Sequence, residues 1–257
     1  VIFDSASSPE LYKTWSSDAT DRKHFTVAFW VKRCSLGASQ TMLQCDTSGG
    51  QATQITFDSN DKLNFNVAAS GVGQRRLITR REFKDVRTFY HITLAYDSEA
   101  STASERTRIY VNGIEETSFD TDERSSIAGT DVHGIMENGQ SVNTIGFRDH
   151  SGTSKNFLNG YLCDYHCIDG QTLEPTAFGQ VGANDDWIPI AYSGSYGNNG
   201  FRLTFADSSA FGDDTSGNTN DFTAANLAAT DKVFDSPTQN FATFDATRFS
   251  GSTITLT

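Results

Sequence analysis

The stretch HFTVAFWVKR, His24 to Arg33, puts Phe25, Val27, Phe29 and Val31 on one side of an extended chain. Successive side chains of a strand point to opposite faces, so this alternation predicts a strand with its apolar face on a core. Similar segments surround it. QTMLQC and QITFDS read as strands, and DKLNFNVAA aligns Leu63, Phe65 and Val67. The DSND run at 58–61 joins the last two into a hairpin, because Asp, Ser and Asn bond their own backbone in turns. TFYHITLAYD aligns Ile92, Leu94 and Tyr96. Asn112-Gly113 between Val111 and Ile114 is a strong hairpin signal, since a type I′ turn needs positive φ at both positions. SVNTIGF, GYLCDYHCID and FRLTFAD add three more strands, and LEPTAFG a short helical turn.

Composition agrees. The 257 residues are 37% hydrophobic and include 19 Phe and 21 Gly. Ser, Thr, Asn and Asp are abundant, and no long Ala/Leu/Glu/Lys stretch has a 3.6 period. Strands every 8–12 residues with polar turns predict an all-β, antiparallel two-sheet sandwich. No apolar run approaches the ~20 residues of a membrane-spanning helix, so membrane insertion is not expected, and no signal peptide opens the chain.

Net charge is −12 and unevenly spread. Residues 1–124 hold 15 basic and 17 acidic side chains (−2), and residues 125–257 hold 5 and 15 (−10). A surface that acidic repels phosphate backbones, which argues against nucleic acid as a partner. The one basic cluster, Arg75, Arg76, Arg80, Arg81, Lys84 and Arg87, has only Phe83 interleaved and reads as a solvated strand face or loop.

The sandwich is expected to close near residue 205. Residues 206–257 then form an Asx/Ser/Thr-rich connector and the start of a further β element. Val1 is not a start methionine and the chain stops inside GSTITLT, so the sequence reads as a segment of a longer polypeptide. Phe211, Phe222, Leu227, Val233, Phe234, Phe241 and Phe244 are too widely spaced to form a core alone. They are expected to cover an adjacent subunit or a following domain, in a homo-oligomer that is a trimer.

GYLCDYHCIDG, Gly160 to Gly170, gathers two cysteines, two aspartates and a histidine. In a helix, Cys163, His166 and Cys167 would share a face within reach of one ion. In a strand, Cys163 and Cys167 share a face with Tyr165 and lie about 13 Å apart, too far for one zinc or a disulfide. The bounding glycines and the two tyrosines favour the strand. All four cysteines (34, 45, 163, 167) are expected as buried free thiols, with 163 and 167 on one face.

FTVAFWVKR, the Tyr-His-Ile of TFYHITLAYD, IYVNG, and the glycine-bounded strand with Asp164 resemble the concanavalin-A-like, laminin-G-like jelly roll. GYLCDYHCIDGQTLEPTAFG, WIPIAYSGSYGNNGF and the DDTSGNTNDFTAANL to DSPTQNFATF tail resemble a branch found in marine bacteriophage tail-fibre and structural proteins. The resemblance implies a jelly-roll sandwich and a virion setting. It also implies that Cys163 and Cys167 occupy packing positions, where that branch carries Ala and an aromatic, and that His91 is structural.

Catalysis is not expected. Glycoside hydrolases of this fold need paired carboxylates flanking the scissile bond. No Glu-x-Asp-x-Glu run exists, and the nearest, FDTDE with Asp120 and Asp122, reads as a solvated turn. Calcium is the candidate cofactor: Asp213, Asp214, Asn218, Asn220 and Asp221 offer hard oxygen ligands around Gly217. Asx-rich turns satisfying their own backbone look similar. A carbohydrate site is suggested by Trp187, Tyr192, Tyr196, Asn198 and Asn199, because sugar C–H faces stack on rings while hydroxyls take planar polar partners. The alternative is that this segment covers one sheet. The expectation is a non-catalytic virion module on a tail fibre or capsid exterior, binding other virion proteins and host-surface glycan, or else a structural virion part without a ligand.

Overall fold

The alternation of the 24–33 strand holds in three dimensions: Phe25, Val27, Phe29 and Val31 are all fully buried. The computed structural model describes residues 1–47, 51–69, 73–129, 135–137, 142–150 and 153–238. Two antiparallel sheets enclose the core. The seven-stranded first sheet runs Ile2–Phe3, Gly160–Asp169, His24–Arg33, Tyr90–Asp97, Thr107–Val111 and Ile114–Glu115, with Phe201–Leu203 pairing the far end of the 160–169 strand. The eight-stranded second sheet runs Phe119–Asp122, Gly73–Glu82, Lys62–Ala69, Gln51–Phe57, Gln40–Thr47, Asn143–Ile145, Glu10–Lys13 and Thr223–Ala225. This is the expected jelly-roll sandwich, and the helical segments among the described residues are single 3-10 turns, one of them at Pro175–Ala177.

Aromatic rings fill the space between the sheets. Phe29 stacks on Tyr165 at 4.9 Å between ring centres, and Tyr165 continues to Phe201 at 6.1 Å. Each such ring, fully buried, contributes about 1.5–3 kcal/mol relative to leaving it exposed. One charged pair interrupts the apolar interior. Arg33, with no exposed surface, donates to Asp61 Oδ1 at 2.8 Å and to the Phe83 carbonyl at 2.9 Å. Asp61 belongs to the 58–61 turn and has φ +64°, so the predicted turn also supplies the counter-ion.

Two expectations are corrected. The sandwich does not close at residue 205: Thr223–Ala225 forms the edge of the second sheet against Glu10–Lys13. Phe211 and Phe222 lie in the main core, 3% and 5% exposed, and Phe222 packs on Phe201 at 4.7 Å. These rings are covered by their own chain. Phe234 is 92% exposed, and Phe241, Phe244 and GSTITLT lie outside the described residues.

The cysteines of the 160–169 strand do not share a face. Cys163 pairs with Trp30 while His166 pairs with Ala28, so three steps on one strand match two on the other. The extra residue is Asp164, at φ +43°, a β-bulge that reverses the facing of everything after it. Leu162, Tyr165 and Cys167 point into the core. Cys163 points outward beside Trp30 and is only half-buried. All four cysteines are free thiols, but Cys34 is exposed, so the expectation that all four are buried holds for Cys45 and Cys167 alone.

Candidate functional site

The outer face of the first sheet carries the site. Trp30 stands on that face of the 24–33 strand, and its cross-strand neighbour is His91 on the 90–97 strand, with ring centres 4.8 Å apart. Trp187 lies over His91. It begins the short Trp187–Pro189 strand, which pairs with Gly179–Val181. Its indole Nε1 donates to His91 Nδ1 at 3.0 Å. Burial pushes the His91 imidazole down to about 3, with the nearby His166 adding to the effect, so this ring is neutral and free to accept.

Two glycines let the indole sit so close. A Cβ on Gly113 would fall 2.4 Å from Trp187 Cζ3, and one on Gly179 would fall 2.4 Å from Trp187 Nε1. Gly113 is also the second residue of the predicted Asn112-Gly113 turn, with φ +49° and +78° as a type I′ hairpin requires. Asn112 Oδ1 accepts from the His91 N–H at 2.8 Å. The turn that reverses the chain thus also forms one wall of the site.

Between these groups lies a groove of about 530 Å³. That is the size of a small-molecule cleft. Trp30 and Phe89, 3% and 7% exposed, close its floor, and half-buried Trp187 offers ring surface. Ile114 and Val181, 69% and 64% exposed, form an apolar rim, and Asn112, Asp185 and Asp186 are its polar members. A neighbouring hollow of about 360 Å³ shares Trp30 and Pro237 and contains Cys163, Asp164 and Arg202. Burial opposes the charge of Asp164, but His166 and Arg202 hold its carboxyl down at about 2.

The predicted carbohydrate residues divide. Trp187 is in the groove. Tyr192 and Tyr196 instead cover His166, two strands away from His91, where they pack with Phe178, Ala28 and Ile168. Tyr196 is 7% exposed, and its hydroxyl bonds His166 Nδ1 at 2.8 Å. Asn199 is buried, with its amide donating to the carbonyls of Ser17 and Met136, both at 2.7 Å. Asn198 is exposed and donates its N–H to Thr20 Oγ1 at 2.8 Å. The 192–199 segment is therefore a cover for the sheet.

The predicted calcium loop holds itself together. Asp214 Oδ1 accepts from the N–H groups of Arg202 and Ser216, both at 2.8 Å. Its Oδ2 accepts from Ser216 Oγ and the Asn220 N–H. Asp221 Oδ1 accepts from the Asp214 N–H at 2.9 Å. The amides of Asn218 and Asn220 both donate to the Gly200 carbonyl at 2.9 Å, stitching this loop to the 197–200 turn. Asp213 makes its own N–H bond to the Ala210 carbonyl. The Asx-turn alternative describes this loop, with Asp214's oxygens committed to N–H and O–H donors. Among the described residues, no group of three or more His, Cys, Asp or Glu is placed to hold a metal ion.

The remaining candidates are ion-paired. Asp120 pairs with Lys62 and Arg80, and Asp122 with Arg124 at 2.6 Å. In the basic cluster, Arg76 is ion-paired locally with Glu123, Arg80 with Asp120, Arg81 with Glu116, Lys84 with Glu82 and Arg87 with Asp85, and Arg75 donates to the Ser126 carbonyl at 2.8 Å.

Sequence reasoning missed Trp30, Phe89, Asn112, Asp185 and Asp186 as site residues. A signal existed for Trp30: it is the one large ring on the side of HFTVAFWVKR opposite the core face. Asp185-Asp186-Trp187, two acids beside a tryptophan, was another.

A family model for the concanavalin A-like lectin/glucanases superfamily matches residues 11–174, well over half of the chain. The chain belongs to that superfamily. Among solved structures it is similar to a Bacteroides ovatus protein described as carbohydrate-binding, at 14% identity and TM-score 0.54. That match covers 87% of this chain and 56% of the other. It is also similar to a heptameric SAP-like pentraxin from Limulus polyphemus, at 18% identity, TM-score 0.44 and coverages of 64% and 71%. A third is the CBM40 of a Ruminococcus gnavus sialidase bound to α2,3-sialyllactose, at 16% identity, TM-score 0.38 and coverages of 58% and 86%. At these identities the likeness is one of fold, and fold does not fix function. No match was found among the curated proteins.

Proposed function

We propose that this superfamily member is a non-catalytic glycan-binding module, carried on a phage surface appendage such as a tail fibre and assembled as a homotrimer. One observation carries the binding reading: the groove beside Trp187 combines ring surface, an apolar rim and a few polar groups on a rigid sheet. Sugars are held by that combination, with C–H faces on rings and hydroxyls on planar polar partners. The description of the Bacteroides ovatus protein as carbohydrate-binding agrees with it. Asp185 and Asp186 are consecutive residues of one turn, whereas glycoside hydrolysis needs carboxyls on both sides of the scissile bond. The phage setting rests on the resemblance of the segments between 160 and 244. The trimer rests on Phe234, an exposed ring that a neighbouring copy would cover.

The test is calorimetric titration of the chain with neutral and acidic oligosaccharides, beside Trp187→Ala with its fold checked by circular dichroism. Binding that falls at least tenfold in the variant supports the groove. Binding unchanged by the substitution, or no glycan bound at all, overturns it. Sedimentation equilibrium tests the trimer separately. A purely structural virion role, as capsid decoration or fibre spacer, is the second reading. The burial of Tyr196 and Asn199 favours it, since most of the aromatic and amide groups near this face are spent on packing.

A further inference from the structure

The polar groups of the groove share one chemical character. Among the described residues that line the groove there is no Lys, Arg or His. Asp185 and Asp186 are exposed, and no described residue ion-pairs with either carboxylate or donates a hydrogen bond to it. This sets them apart from Asp120, Asp122, Glu116 and Glu123, each of which faces an arginine. The nearby cation, Lys32, lies 5.4 Å from the Phe89 ring centre and is already ion-paired with Asp235. The indole N–H is spent on His91, and Asn112 Oδ1 is spent on the His91 N–H. Accepting carboxylates therefore dominate the polar side, at the acidic end of a chain with net charge −12.

From this we infer that the groove selects glycans free of acidic groups and rejects sialylated, uronic-acid and sulfated ones. The inference rests on the glycan-binding reading and names its ligand class. A neutral sugar brings several hydroxyl donors, and a hydroxyl donating to a carboxylate makes one of the stronger hydrogen bonds available to it. Its C–H face can at the same time lie on the Trp187 ring. An acidic sugar brings another negative charge beside two that no described residue neutralises, within a field of the same sign. It would find no cation among the described lining residues to receive it. This is discrimination by repulsion, achieved without any added contact to the favoured ligand.

Matched pairs that differ only in charge test it: lactose against sialyllactose, and neutral agaro-oligosaccharides against their sulfated counterparts, titrated into the full chain at low and moderate salt. The neutral member of each pair is expected to bind at least tenfold more tightly at low salt, with the gap closing as salt screens the repulsion. In Asp185→Asn/Asp186→Asn the gap is expected to shrink to threefold or less, with the thermal midpoint unchanged. An acidic member binding as tightly as its neutral partner overturns the inference and leaves the glycan reading standing. So does a gap that survives the double substitution. If no member of either pair binds, the glycan reading fails and this inference fails with it.

Discussion

Trp187 Nε1 and His91 Nδ1 lie 3.0 Å apart, a hydrogen bond between residues separated by 96 positions. It couples a solvent-facing groove to a neutral imidazole held inside the sheet, and its consequences can be measured.

The first concerns pH. His91 stays unprotonated in the fold down to about 3, against the ordinary imidazole value of 6.5 in the unfolded chain. As pH falls below 6.5 the unfolded chain takes up a proton that the folded one refuses. Its stabilising contribution is therefore complete above pH 6.5 and is lost as pH falls towards 3, at up to roughly 1.4 kcal/mol per pH unit from this one group. Urea melts from pH 7 to 4 should show a steeper decline in the native chain than in His91→Gln. Equal slopes would mean that His91 titrates normally.

Thiol chemistry reports the bulge. Cys34 is exposed, Cys163 half-buried, and Cys45 and Cys167 buried. Burial pushes the Cys163 thiol up to about 11, so little thiolate exists at neutral pH. A disulfide-exchange reagent at pH 8 should label Cys34 first and Cys163 slowly. Cys45 and Cys167 should react only after denaturation. Matched rates for Cys163 and Cys167 would return both to one face.

The buried ion pair sets a large effect far from the groove. Removing Asp61 leaves the Arg33 guanidinium, which has no exposed surface, without its carboxylate. Asp61→Ala should cost about 3–5 kcal/mol, as breaking a buried pair typically does. Chemical denaturation would measure it, and a loss below about 1 kcal/mol would place the pair in the class of surface salt bridges.

Phe222 tests where the sandwich ends. Its ring packs on Phe201 and Trp15 in the main core. Phe222→Ala should cost about 3–5 kcal/mol, the usual range for a core phenylalanine. Truncation after residue 205 should abolish cooperative unfolding. A stable, cooperative 1–205 fragment would restore the shorter boundary.

The strands were legible because their burial follows a period of two, and Asn112-Gly113 because type I′ geometry narrows the residue choice. Thr223–Ala225 was not, since a three-residue, largely exposed Thr-Ala-Ala edge strand has no alternation to read. The 213–221 loop was ambiguous for a different reason. Aspartates and asparagines that could ligate a cation are the same groups that accept from a turn's N–H groups, and only the positions of those donors separate the two. Of the groove, Trp187 was legible as an aromatic near polar residues. Its companions come from strands and turns far apart in sequence, and the pairing of Trp30 with His91 depends on register.

The bulge at Asp164 behaves like a dislocation in a crystal, where one surplus row puts the lattice on either side out of phase. Asp164 carries the defect and also binds Arg202 and faces His166, so the fault line is pinned by charge. Deleting this one residue would bring the two halves into phase and force one of them to present its wrong face: either Leu162 would leave the core, or Tyr165 and Cys167 would. The strand can therefore accept no change of length, which makes its ten residues a fixed ruler between Gly160 and Asp169.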